Sequence, residues 1–134
     1  MTLTWPRPTL DVWNRPFWDA TAEHRLSVQR CASCQALRYP AGPSCAQCLS
    51  GDSEWVDLSG RGEVQSWVIF HQVYYSGLSE AVPYNVALIR LEEGLRFISN
   101  VVGVPDDEIR IGMPVSVVFD DTEDGYAVPR FTPA

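Results

Sequence analysis

The chain has 134 residues, of which 46% are hydrophobic and 20% charged. That suits one globular domain, or one domain with a small module, and no apolar run reaches the ~18 residues of a membrane span. The formal charge is −7 and all ten basic residues are arginines, the reverse of the basic footprint with which ribbons and small barrels hold phosphates, so neither nucleic acid nor a membrane is an expected partner.

In chain order, residues 1–29 read as an arm. Trp5, Trp13, Phe17 and Trp18 crowd into it. Pro16 suits the first helical position, where its missing N–H would be an orphan anyway, and a short helix from about Pro16 to Glu23 follows, with Asp19 in its first turn. Trp13, Phe17 and Trp18 then form an aromatic side. It can pack back on the protein or dock a partner, and the two are compatible. Nothing before Cys31 resembles a secretory leader, so a reducing, cytoplasmic setting is expected.

Residues 30–58 form a second unit around Cys31-Ala-Ser-Cys34 and Cys45-Ala-Gln-Cys48. Each C-x-x-C turn presents two sulfurs from one knuckle, and together they supply the four ligands of a tetrahedral zinc ion. Two disulfides and a rubredoxin-like iron site use the same residues, and the spacing alone leaves them open. With four sulfurs the site has no position for substrate or water, so the metal is structural. Strands are expected at Arg25–Arg30, Leu37–Tyr39 and Ser53–Leu58, with Pro40, Gly42 and Pro43 bending the connector and Trp55 covering the metal module.

After Gly60-Arg61-Gly62 the texture becomes β. Strands are expected at Val64–Val73, Tyr84–Leu91, Leu95–Val102, Val115–Asp120 and Tyr126–Phe131. Glu92-Glu93-Gly94 reads as a three-residue hairpin and Asp120–Gly125 as a longer tip. Helix is hard to place here beyond a turn at Pro105–Arg110. Five strands in about 70 residues predict a small barrel over residues 59–134, of which the OB-fold is the commonest kind. The chain is thus mainly β: a helical arm, a four-cysteine ribbon and a five-stranded barrel. Tyr74 and Tyr75 open the longest barrel loop and either line a ligand channel or cap the barrel mouth.

Catalytic patterns are missing. His71 sits in a strand-like run, no G-x-S-x-G elbow or phosphate loop occurs, and the four cysteines are committed to metal. The acidic runs Asp106–Glu108 and Asp120–Asp124 read as solvated turns. The residues alone do not describe an enzyme.

Several blocks carry a resemblance: Pro16-Phe17-Trp18; the first knuckle with Leu37-Arg38-Tyr39-Pro40, then Cys45-Ala-Gln-Cys48; Gly60-Arg61-Gly62-Glu63-Val64; Val82-Pro83-Tyr84; Ile111-Gly112-Met113-Pro114-Val115; and Val128-Pro129-Arg130-Phe131. In this order they resemble the OB-fold, zinc-ribbon proteins associated with acyl-CoA enzymes, long grouped as a domain of unknown function. The resemblance implies an accessory subunit that carries structural zinc. Its partner would be a thiolase-like, lipid-transfer-protein-type enzyme in a two-plus-two assembly, with the catalytic residues on the partner. The reaction implied is retro-aldol cleavage of an acyl-CoA, as in steroid side-chain degradation. A freestanding acyl-CoA-binding module and a partner of a hot-dog-fold hydratase are the alternatives, with a nucleic-acid-binding barrel behind them on charge. Trp13, Phe17 and Trp18 are the docking candidates; Arg61 and Arg96, with Tyr74 and Tyr75, are candidates for acyl-CoA contact, since arginine suits phosphate.

Overall fold

The computed structural model describes residues 6–134; Trp5 lies outside them. One helix, α1 (Arg15–Ala22), opens the described chain. It begins one residue before Pro16 because a local turn starts it. The Asp11 carboxylate accepts from the N–H groups of Trp13 and Asn14, both at 2.8 Å, and the Asn14 side chain accepts from Asp11 N–H at 2.9 Å. Asp19 consequently falls outside the first turn, which carries no acidic residue. The helix ends where His24 takes φ 60° and Arg25 N–H reaches back to the Ala20 carbonyl at 2.9 Å, a Schellman-type closure.

The first sheet is the ribbon. β1 (Ser27–Cys31) lies between β2 (Leu37–Arg38) and β3 (Ser53–Asp57), all antiparallel. In register, Gln29 stands opposite both Arg38 and Trp55. Trp55 lies between the ribbon and the rest of the molecule. It packs against the central core and lines a cleft with Phe17, Trp18 and Tyr39.

The second sheet holds β4 (Arg61–Phe70), β5 (Tyr84–Leu91), β6 (Arg96–Ser99), β7 (Pro114–Asp121) and β8 (Ala127–Pro133), in the order β6-β5-β4-β7-β8. It curls until its ends meet. Ser99 Oγ donates to the Pro129 carbonyl at 2.7 Å, Phe131 N–H to Asn100 at 2.9 Å, and Val102 N–H to Phe131 at 2.7 Å. This seam explains why β6 stops at Ser99 and not at Val102: the next residues leave β5 and bridge to β8. β4 is displaced from Val64–Val73 toward the N-terminus, and His71 sits beyond its end, exposed in the loop. A further short 3₁₀ turn, Ser76–Leu78, seats buried Leu78 in that loop.

The start of β4 explains the shift. Gly60, at φ 80°, delivers the chain against Val117, and Gly62 lies opposite Leu91 inside the ladder. A Cβ on Gly62 would stand 2.5 Å from the Arg90 carbonyl oxygen. These glycines enter the barrel and do not merely precede it. Gly62→Ala is expected to cost about 2–4 kcal/mol, as other forced contacts in packed interiors do; a denaturation midpoint equal to wild type would contradict that packing.

Phe17 and Leu26 enter one core with Val64, Ala87, Ile89, Leu91, Phe97, Val115 and Phe131. On β7, Val115 is buried and Val117 and Phe119 pack against the core, the face their alternation predicts. Thr21, fully buried, ties helix to barrel by accepting from Ala127 N–H at 3.3 Å. At the far end, buried Arg130 donates from Nε to Asp120 at 2.9 Å and also to the Asn100 side chain. Asn85 closes the same end through Val101, donating to its carbonyl at 2.8 Å and accepting from its N–H at 2.7 Å.

Candidate metal centre and docking surface

The two knuckles fold alike. Cys31 N–H donates to the Ala36 carbonyl and Cys45 N–H to the Ser50 carbonyl, at 2.8 and 2.9 Å. The residue four beyond each of these cysteines returns its N–H to the cysteine carbonyl: Gln35 to Cys31 at 3.0 Å, Leu49 to Cys45 at 2.9 Å. Both adopt the left-handed conformation, at φ 69° and 67°. The tight turns leave backbone N–H groups aimed at sulfur, Cys34 N–H at Cys31 Sγ (3.5 Å) and Gln47 N–H at Cys45 Sγ (3.3 Å).

All four sulfurs lie within 4.8 Å of one another, with Cys31–Cys48 at 3.5 Å and Cys34–Cys45 at 3.6 Å. Four sulfurs ~2.3 Å from one tetrahedral ion would stand ~3.8 Å apart. The cluster therefore fits a single metal ion. Its electrostatics ask for one. Backbone N–H groups of Cys48 and Gln47 hold the Cys45 thiol down at about 6, and the Cys34 N–H, with that of Ser33, lowers Cys31. For Cys34 the Ala36 N–H also lowers the pKa, but desolvation and the three neighbouring sulfurs outweigh it and push the thiol up to about 12. Four thiolates cannot share this space without a cation among them. Because the protein fills all four positions, an ion held here would brace the ribbon.

The arm aromatics divide. Phe17 is buried, in contact with Trp18, Tyr39 and Phe97 at ring separations of 4.9, 5.4 and 6.3 Å. It is where helix, ribbon and barrel meet. Trp18 is half-buried and meets Tyr126 edge-on at 5.1 Å. Trp13 remains 45% exposed, so of the three it offers the most surface.

The acyl-CoA candidates do not converge. Arg61 opens β4, while Tyr74 and Tyr75 follow its other end, ~30 Å away for a ten-residue strand. Arg90 and Arg96 face each other across β5 and β6 near the Arg61 end. Arg61 already closes on Glu92, through Nε at 3.2 Å and Nη2 at 2.8 Å, and the Ser59 hydroxyl together with Arg61 holds that carboxyl below its usual range. Tyr74 is 70% exposed, resting edge-on against Phe70. His24 stacks on Phe119 and contacts Asp121 at 2.7 Å, a structural use of the ring.

Family models match both halves: "ChsH2, rubredoxin-like zinc ribbon domain" over residues 18–54 and "ChsH2, C-terminal OB-fold domain" over residues 55–120. The chain belongs to the ChsH2 (DUF35) family. A chain of a solved structure described as "Ltp2-ChsH2(DUF35) aldolase" superposes with a TM-score of 0.84 at 38% identity, covering 95% of this chain and 98% of that one. A "DUF35 domain-containing scaffold protein" of Methanocaldococcus jannaschii is 33% identical, over 72% of this chain and 71% of its own length. A "Probable enoyl-CoA hydratase alpha subunit" of Thermomonospora curvata is 39% identical over 96% of this chain, yet the chain spans only 40% of that protein. The ChsH2 ribbon and OB-fold thus account for the four-cysteine cluster and the curled sheet. No helix among the described residues is long and apolar enough to cross a membrane.

Proposed function

We propose that this chain is a non-catalytic accessory subunit that docks a thiolase-like enzyme, the pair forming an acyl-CoA carbon–carbon lyase. The observation that carries this is the likeness, over 95% of the chain, to the ChsH2 component of an aldolase. The metal cluster supports it, since four protein sulfurs leave no coordination site for chemistry. In this reading the ion is zinc, the division of labour follows arm (1–29), ribbon (30–58) and barrel (59–134), and the assembly is two-plus-two and cytoplasmic, with a steroid or other bulky acyl thioester as substrate. Direct acyl-CoA contact at Arg61 and Arg96 is the finer part. Unchanged acyl-CoA affinity of the assembly after Arg61→Ala with Arg96→Ala would remove it.

The reaction supplies the test. Retro-aldol cleavage splits a 3-hydroxyacyl-CoA into a carbonyl compound and a shortened acyl-CoA. Adding this chain to the purified thiolase-like enzyme is expected to raise the rate of shortened acyl-CoA release by roughly tenfold or more, the range that positioning effects supply. Equal rates with and without the chain would contradict the reading. The likeness to a hydratase subunit favours a second one, a partner of a hot-dog-fold hydratase. It is distinguished by hydration of an enoyl-CoA, with no carbon–carbon bond broken.

A further inference from the structure

Arg38, on β2, lines a cleft of about 200 Å³ between helix and ribbon together with Phe17, Trp18, Tyr39 and Trp55. Its Nη1 donates to the Gly42 carbonyl at 2.7 Å, which fixes the guanidinium in place. Nε and Nη2 are buried and have no acceptor among the described residues. Those two nitrogens form the edge whose N–H bonds run parallel and match the two oxygens of a carboxylate. Elsewhere the protein gives this edge to carboxylates: Arg61 places Nε and Nη2 on the two oxygens of Glu92, and Arg30 converges both nitrogens on one oxygen of Glu54. A buried donor without an acceptor is destabilising, more so on a cation. No Asp or Glu lines the cleft.

We infer that the free edge of Arg38 receives a carboxylate from a docked protein partner, an Asp or Glu side chain or the carboxy terminus, inserted between Trp18, Tyr39 and Trp55. Size selects a protein group over a metabolite. Small-molecule sites usually enclose about 300–1,000 Å³, whereas this cleft holds a side chain or chain end and not an acyl-CoA. Charge fixes the sign of what enters, and aromatic walls around a desolvated arginine are the composition of an interface hot spot. Pro8 and Asn14, from the segment before α1, form part of the wall. Nε and Nη2 are shut off from water in the free chain, so insertion requires the cleft wall to open. The inference rests on the docking-subunit reading and names where that docking is anchored.

Two measurements test it. In nitrogen-15 spectra of the metal-loaded chain, with the Arg38 Nε–H signal identified by its loss in Arg38→Lys, sodium acetate is the smallest carboxylate probe. It should shift the Arg38 signal saturably and leave those of Arg30 and Arg61 unmoved; no shift beyond a sodium chloride control overturns the site. In capture of the partner from the native cell, Arg38→Lys keeps the charge and can keep the Gly42 bond but loses the fork. It should weaken partner binding roughly tenfold or more with metal content unchanged. Acetate binding with undiminished capture by Arg38→Lys would overturn the partner assignment. Acetate binding with no partner captured by wild type would sink the docking-subunit reading itself and the partner assignment with it, leaving only a carboxylate site.

Discussion

Cys45→Ser should abolish metal binding and unfold the ribbon. A serine hydroxyl does not replace a thiolate as a ligand at neutral pH, and three sulfurs hold a structural ion far more weakly than four. The loss is large because the ribbon has little else. Its sheet is three short strands, one of only two residues, and both knuckles spend their backbone hydrogen bonds on sulfur-presenting turns. Structural zinc in small peptides is worth an apparent ~10–16 kcal/mol, against a total stability of about 5–15 kcal/mol for a whole domain. Metal analysis and thermal unfolding check this, and wild-type metal content with a wild-type melting profile would refute the site. Acid should act in the same direction. The folded chain holds Cys45 down at about 6, so its thiolate contributes stability in full above the ordinary thiol range and loses it as pH falls through that value. Bound metal extends the thiolate range further downward, so acid and not base is expected to release the ion.

Phe17→Ala is expected to cost about 3–5 kcal/mol. Its ring contacts Tyr39 of the ribbon and Phe97 of the barrel from the helix, so its removal opens a cavity where the three parts meet. Trp13→Ala, one turn earlier and exposed, should leave the unfolding free energy within ~0.5 kcal/mol of wild type while weakening partner capture. Equal destabilisation by the two substitutions would mean that the arm is only a packing element.

How much of this could be read from residues alone follows from how local each signal is. The knuckles were legible because ligand spacing is a sequence-local constraint, and β5 was legible to the residue because alternate positions from Asn85 to Leu91 are buried. The ends of β6 and β4 were not. β6 stops early because residues just past Ser99 satisfy β8, a partner some thirty positions away, and β4 starts early because Gly62 nests against Arg90. Asp19 missed the first helical turn because Asp11 and Asn14, not Pro16, set the start. Arg38 stood in plain view within Leu37-Arg38-Tyr39-Pro40, but only three-dimensional placement shows that its fork lacks an acceptor.

The most direct test of the accessory-subunit account is affinity capture of the tagged chain from its native cell, with mass spectrometry of what co-purifies in stoichiometric amount. The account predicts a thiolase-like enzyme in equal proportion to this chain. A clean monomer that binds acyl-CoA on its own would contradict it.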